Sequence, residues 1–229
     1  MTNYVYESSE VEESVLSRAV ELTLIVLNDP DTPNKLAKYY DPAGDYVGAS
    51  FVTLEPHNAD RLTSSDLMAT SMLNVGFPAS AIRRLLQDTQ NQADISEKLR
   101  ALPSCSLEDT TTDDLDLMGE LYSMVKPLLA DGYSKTSNRW VTTSKLLARK
   151  RPSLFPVRDR VVCGYLDIMP LKDYRKDWQV FRHLMQNERV RQRLAELPSE
   201  TVHAALDSDP ILDTEPLRIL DAALWMYAR

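Results

Sequence analysis

Residues 137–162 read SNRWVTTSKLLARKRPSLFPVRDRVV: a polar turn, a short helix, a proline-bounded connection and an aspartate that begins a second helix. From Ser137 to Arg160 the segment carries seven basic residues and one acidic residue, Asp159, and so has a net charge of +6. The whole chain has a net charge of −8, which leaves −14 for the remaining residues. A single carboxylate inside the basic stretch of an acidic protein is therefore the sharpest candidate for a functional side chain.

The composition indicates an ordinary globular protein of mostly helical class. Its 229 residues are 43% hydrophobic and 26% charged, which is enough apolar sequence to bury a substantial core. The chain has six glycines and no repeated strand-and-turn pattern, which favours helices. The negative net charge argues against indiscriminate binding of nucleic acid, because phosphate affinity comes from many lysine and arginine contacts. A local basic face can still bind phosphate.

The sequence indicates a cytoplasmic protein that holds no metal and no cofactor. Two cysteines cannot form a disulfide framework, and the first residues have neither the basic nor the apolar region of a signal peptide. The longest apolar run, Leu22 to Leu27, is too short to cross a bilayer, so we expect no membrane association. The three histidines are scattered without metal-ligand spacing, and no glycine-rich phosphate loop is present.

The periodicity predicts a mostly α, two-lobed globule of about ten helices with at most one minor strand pair. We expect a disordered tail at residues 1–8 and a single helical domain at 9–229, which can divide into two lobes at a linker near 103–112. The run from Val47 to Leu54 is the candidate strand. The acidic stretch from Ser106 to Glu120 is typical of a solvated linker that continues into a helix.

The central segment resembles the helix-hairpin-helix DNA glycosylases. Thr142-Thr143 takes the place of the Thr-Ala pair that follows the hairpin in that family, and Asp159 lies 17 residues after Thr142, the spacing of the family's catalytic aspartate. The run from Phe155 to Val161 matches the way in which that aspartate is delivered. The resemblance covers about 25 residues. It implies the helix-hairpin-helix glycosylase fold and DNA as the partner, bound through the local basic segment.

The same resemblance implies a DNA-binding, base-excision enzyme in which Asp159 assists cleavage of the N-glycosidic bond. Val141 stands where the lyase-type members carry a lysine, so the expected activity is monofunctional. Two family glycines are replaced by Ser137 and Arg139, and the Arg139 guanidinium is a candidate to supply the missing phosphate donors. The predicted phosphate-binding residues are Arg139, Thr142, Lys145, Arg149, Lys150 and Arg151; the predicted accessory residues are Trp140, Arg158 and Arg160.

The chain as a whole resembles an uncharacterised actinobacterial family of unknown function. The matching parts are the runs Thr63 to Ala69, Lys145 to Pro152 and Leu217 to Met226. This resemblance implies no activity. It does indicate that the basic segment is part of the family's fold.

Each functional interpretation has a structural alternative. Asp159 is also an N-cap for the next helix, a role compatible with catalysis. The basic residues can equally form a solvated face that pairs with the acidic stretch at 106–120. Arg139 can be an ordinary surface arginine, and Trp140 can pack at the helix start instead of stacking on a base. The aromatic residues Tyr39, Tyr40, Trp225 and Tyr227 can line a base pocket or belong to the core.

Three functions therefore remain open at the level of sequence. The first is a monofunctional DNA glycosylase-like enzyme centred on Asp159. The second is a non-catalytic helical DNA- or protein-interaction protein. The third is an enzyme that acts on a small nucleoside or nucleotide.

Overall fold

The computed structural model of the chain describes residues 10–131, 139–205 and 208–229. These residues form twelve α-helices, two short 3-10 turns and no strand, so the predicted mostly α class is confirmed. The tail at 1–8 and the hairpin position Ser137 lie outside the described residues. The helices are α1 Glu13–Leu27, α2 Thr32–Tyr39, α3 Gly48–Thr53, α4 Ser64–Met72, α5 Ala79–Leu86, α6 Thr89–Ala101, α7 Thr112–Leu128, α8 Trp140–Lys150, α9 Arg160–Tyr165, α10 Tyr174–Gln186, α11 Glu188–Ala204 and α12 Pro216–Ala228.

Helix α4 begins at a capping box. The Thr63 hydroxyl accepts a hydrogen bond from the backbone N–H of Asp66, and the Asp66 carboxylate accepts one from the backbone N–H of Thr63 at 2.8 Å. Both bonds satisfy backbone donors that the first turn of a helix leaves free. The cap therefore also fixes the Asp66 side chain, which is 0% exposed.

The strand predicted between Val47 and Leu54 is wrong, because this stretch forms the helix α3. A glycine at its start allows the close approach to α2: a Cβ on Gly48 would lie 2.5 Å from the Tyr39 ring and from the Tyr39 carbonyl oxygen. Ala49 and Phe51 are buried. The tertiary contact with α2 thus overrides the β-propensity of the valines and phenylalanine in this short run.

Helix α11 contains a proline at position 198, and a proline inside a helical pattern favours a break. The structure has one helix that continues through the proline. Leu194, Leu197 and Thr201, which lie on both sides of Pro198, are all buried. Burial of this shared face compensates for the backbone hydrogen bond that a proline removes from a helix interior.

The buried apolar side chains form a continuous cluster that runs from Val11 near the start of the described residues to Leu224 in α12. The acidic stretch contributes to it, since Leu107 is fully buried and its backbone N–H donates to the carbonyl oxygen of Ser153 at 2.9 Å. The predicted linker is therefore anchored on the segment between α8 and α9 and is not solvated along its whole length. The division into two lobes stays a prediction.

No helix in the described part of the chain has both the length and the hydropathy needed to cross a bilayer.

An ion pair inside the protein connects α8 to α4. The Lys150 side chain is fully buried, and its Nζ donates to Asp66 Oδ2 at 2.7 Å and to the carbonyl oxygen of Arg61 at 2.8 Å. It donates a third hydrogen bond to the carbonyl oxygen of Asn58. All three ammonium N–H groups thus have acceptors, which is the condition for holding a charge away from water.

The substitution Lys150→Met is expected to lower the free energy of unfolding by about 3–5 kcal/mol, because it leaves the Asp66 carboxylate buried without its main partner. Urea denaturation followed by circular dichroism measures this change. The control is Arg191→Met, a basic residue exposed on α11, for which a change within about 0.5 kcal/mol is expected. Equal stabilities of the two variants would contradict the assigned role of the Lys150–Asp66 pair.

Candidate active site

The connection between α8 and α9 is held by a second buried ion pair. Arg158 is 4% exposed, and its Nε donates to Asp177 Oδ2 of α10 at 2.9 Å. Its Nη1 donates to the Ser144 hydroxyl of α8 at 3.2 Å, and its guanidinium carbon lies 5.3 Å from the centre of the Trp140 ring. Arg158 is thus bonded to two helices, which fixes the backbone immediately before Asp159.

Asp159 is the N-cap of α9, as its position before the helix predicts. Its Oδ1 accepts hydrogen bonds from the backbone N–H groups of Val161 at 2.9 Å and Val162 at 3.0 Å. The residue is 6% exposed. Its other oxygen, Oδ2, lies 3.6 Å from Nζ of Lys145 on α8. One carboxylate oxygen therefore caps the helix, while the other faces an ammonium group.

Asp159 and Lys145 lie in the wall of a cavity of about 470 Å³. Three partly exposed aromatic residues line the same cavity, with the centre of the Trp225 ring 6.0 Å from that of Tyr39 and 6.2 Å from that of Tyr46. The volume lies within the range of small-molecule sites. The cavity thus combines flat apolar surfaces with a few charged groups, which suits a planar heterocyclic ligand.

Helix α12 forms another part of the cavity wall and contributes a buried arginine–aspartate pair. Asp221 Oδ2 accepts hydrogen bonds from Arg218 and, at 2.8 Å, from the backbone N–H of Val157. Within the described residues Asp221 Oδ1 has no hydrogen-bond partner. Burial raises the pKa of Asp221 to about 6, against the opposing effect of the Arg218 charge. The hydrogen bond to Val157 connects this pair to the segment that carries Asp159.

Of the predicted phosphate-binding lysines and arginines, Arg149 and Lys150 point into the protein. Arg149 is 6% exposed and donates to the carbonyl oxygens of Phe51, Val52 and Leu54, while Lys150 forms the pair with Asp66 described above. Burial lowers the pKa of both side chains. A DNA phosphate would have to displace these internal acceptors, so the proposed site does not include Arg149 and Lys150.

The remaining members of the predicted set lie outside the cavity, apart from Lys145. Arg151 donates to the carbonyl oxygen of Leu99 at 2.7 Å and to Asp60 at 3.0 Å. Thr142 is buried in the first turn of α8, and Arg139 precedes that helix as its N-cap residue. Trp140 is half-buried against the core, and Arg160 is exposed at the start of α9.

The expected pairing of the basic segment with the acidic stretch at 106–120 is wrong. Lys145 pairs with Asp159, and Lys150 pairs with Asp66. Within the described residues the acidic stretch pairs instead with Lys98, through Glu120 at 2.6 Å, and with a residue of α10. The physical reason is that α4 packs directly on α8 and brings its carboxylate within reach.

Sequence reasoning named Trp225 of α12 as a possible pocket residue but missed the charged residues of this helix, although their spacing carries a signal. Five residues of the cavity wall occur at intervals of three, four and seven positions and so share one helical face. They are Arg218, Asp221, Ala222, Trp225 and Arg229. Arg218, Asp221 and Trp225 on one face of an otherwise apolar helix, with Arg229 directly after it, indicate a polar cavity. From the sequence alone Trp225 is a candidate for either a base pocket or the core, and Arg218 and Asp221 are not among the predicted site residues.

A family model describes most of the chain. The model is that of DUF6308, a family of unknown function, and it matches residues 33–228. This chain belongs to DUF6308. The matched part of the DUF6308 chain includes α2 to α12 and all residues of the cavity wall except Arg229. No match is found among curated proteins or among solved structures.

The raised pKa of Asp221 predicts an unusual pH dependence of stability. Between pH 4 and 6 the folded protein binds this proton more tightly than the unfolded chain, so the contribution of Asp221 to stability falls as the pH rises through that range. Asp221→Asn lacks this group. The unfolding free energy of the variant minus that of the parent is expected to rise from pH 4 to 6 and to level off near pH 7. Urea titrations at each pH measure it, and a flat or falling difference would contradict the raised pKa.

Proposed function

We propose that this chain hydrolyses the N-glycosidic bond between a nucleobase and its sugar, as a monofunctional, DNA glycosylase-like enzyme with Asp159 as the catalytic carboxylate. One observation carries the proposal. Asp159 is held at the start of a helix, almost fully buried, in the wall of a cavity that three partly exposed aromatic residues also line. The 17-residue spacing from Thr142 to Asp159 matches that of the catalytic aspartate in the helix-hairpin-helix DNA glycosylases, and this agreement supports the proposal independently.

The chemistry requires a negative charge at a fixed position beside the sugar. Cleavage of the bond develops an oxocarbenium-like positive charge on the sugar ring, and a carboxylate in contact with it stabilises that charge. Oδ1 of Asp159 is fixed by two backbone N–H groups, so Oδ2 can face the sugar without a change of rotamer. The same oxygen can accept a proton from the attacking water.

The aromatic side of the cavity is suited to the base. Tyr39, Tyr46 and Trp225 offer ring faces on which a base can stack, and every base has such a face. Burial raises the pKa of Tyr39, so its phenol stays protonated and can donate a hydrogen bond. In this arrangement the base enters between the rings and the sugar lies against Asp159.

The first candidate substrate is a base in DNA, as in the family that residues 137–162 resemble. An enzyme of this kind reaches the bond only after the nucleotide is turned out of the stack. The exposed Arg229 lines the cavity and lies over the Trp225 ring at 5.0 Å, so its guanidinium can contact a backbone phosphate.

The actinobacterial distribution of the uncharacterised family that the whole chain resembles stays a prediction.

The second candidate substrate is a free nucleoside or nucleotide. It is favoured by the inward orientation of Arg149 and Lys150, which removes two cations from the predicted DNA-binding face. The negative net charge of the chain also favours a small substrate over DNA. Base release from duplex DNA, from single-stranded DNA and from nucleosides, followed by chromatography, separates the two candidates. No release from any of them would leave the non-catalytic interaction protein as the better interpretation.

The substitution Asp159→Asn is expected to reduce the rate of base release by about 10²–10³-fold, because the side chain can still cap α9 but no longer carries a charge. Stopped assays of base release measure it. The control is Asp173→Asn, which alters the N-cap of α10, where Asp173 accepts from the backbone N–H of Arg175 at 2.9 Å outside the cavity. This control should keep the parent rate. Equal rates for both variants would remove Asp159 from the mechanism.

The substitution Trp225→Ala is expected to weaken binding of the base by about 1–3 kcal/mol, because it removes one stacking surface. Titration of the nucleosides adenosine, guanosine, cytidine and thymidine by calorimetry measures the change for whichever of them the parent binds. Trp225→Phe retains a ring face and should keep most of the affinity. If Trp225→Ala binds as tightly as the parent, the base does not lie in this cavity.

A further inference from the structure

Lys145 differs in its contacts from Lys150, the other lysine of α8 and the last residue of that helix. Its Nζ donates to the carbonyl oxygen of Leu73, at the end of α4, at 2.8 Å and lies 3.6 Å from Asp159 Oδ2. Its side chain is 10% exposed and lines the cavity. Lys150 instead directs its three N–H groups at three acceptors in the protein interior. Within the described residues Lys145 thus retains an N–H group for a molecule in the cavity, and Lys150 retains none.

The environment of Lys145 favours transfer of a proton from its ammonium group. Burial lowers the pKa of Lys145, and the charge of Asp159 partly opposes this change. From α4 the facing group is the neutral Leu73 carbonyl, and from α9 it is Asp159. From α12 the Arg218–Asp221 pair lines the same cavity. Because its pKa is lowered, the Lys145 ammonium group is a stronger acid than that of an exposed lysine.

Cleavage of an N-glycosidic bond needs an acid as well as a carboxylate. The bond's electron pair leaves with the base nitrogen, and an unprotonated purine or pyrimidine is a poor leaving group. We propose that Lys145 is the general acid that protonates the departing base, while Asp159 stabilises the sugar and activates the water. This assignment rests on the proposed N-glycosidic hydrolysis and extends it to the fate of the protons.

The step balances with water as the only co-reactant. The bond between the sugar's C1′ and the base nitrogen breaks, and the base receives a proton from the Lys145 ammonium group. The water oxygen bonds to C1′ and gives one proton to the Asp159 carboxylate. That proton passes across the 3.6 Å contact to the neutral Lys145 amine, which restores both side chains. The net reaction is addition of water to give the free base and the sugar hydroxyl.

The experiment compares leaving groups that do and do not need protonation. The ordinary substrates contain guanine or adenine, and the matched substrates contain N7-methylguanine or N3-methyladenine, which are already cationic and depart without a proton. Both sets are assayed as nucleosides and in duplex DNA. The variants are Lys145→Met, Lys145→Arg and, as a control away from the cavity, Lys176→Met on α10. Circular dichroism and thermal unfolding monitor the fold of each variant.

For a general acid, Lys145→Met is expected to lose about 10²–10⁴-fold in rate on the ordinary bases and less than about 10-fold on the methylated bases. Lys145→Arg should show the same pattern, because a guanidinium retains the charge but does not give up its proton. Lys176→Met should release bases at the parent rate. If the parent protein releases only the methylated bases, the assignment is overturned, because such a protein supplies no proton to the departing base.

The structural alternative gives a different result. If Lys145 only orients Asp159 or holds the end of α4, both substrate sets lose rate equally, and Lys145→Arg restores part of it. That outcome overturns the assignment of Lys145 and leaves the proposed hydrolysis intact, because Asp159→Asn still slows release of the methylated bases by about 10²–10³-fold. No release of any base by the parent would instead overturn the proposed hydrolysis itself.

Discussion

The low dielectric constant of the protein interior governs the arrangement of the basic segment. A lysine or arginine can be removed from water only where carboxylates and carbonyl oxygens replace the lost hydration. The end of α3 and the backbone that follows it supply carbonyl oxygens to Arg149 and Lys150, and Asp66 of α4 supplies a carboxylate. Helix α8 is therefore joined to α4 by charge as well as by apolar packing.

This attachment determines where the chain goes after α8. The connection to α9 is confined by the buried Phe155 and by the pair between Arg158 and Asp177 of α10. Asp221 of α12 adds a hydrogen bond to the backbone of Val157. Helices α10 and α12 thus fix the few residues before Asp159, and a carboxylate held in this way needs little reorganisation to act on a substrate.

The two lysines of α8 have different roles, because Lys145 lines the cavity and Lys150 does not. Lys150 faces α4, has all its donors satisfied and stabilises the fold. Lys145, slightly more than one turn earlier, reaches the cavity and Asp159. Both residues are lysines on the same helix, so the difference in their roles comes from the neighbours that each side chain contacts. The high net positive charge of the segment is consequently a poor guide to a nucleic-acid surface.

The sequence by itself determined the helical class, most helix positions and the place of Asp159 as a helix N-cap, because hydrophobic periodicity and capping act within a few residues. It also singled out Asp159 through its spacing from Thr142. It could not determine the direction of the long basic side chains, which depends on acceptors about 50 to 100 residues away in the chain. Val47 to Leu54 became a helix, and α12 became a cavity wall, through contacts of the same kind. Only the tertiary structure decided these features, since burial of a charge or a helix face is set by whatever packs against it.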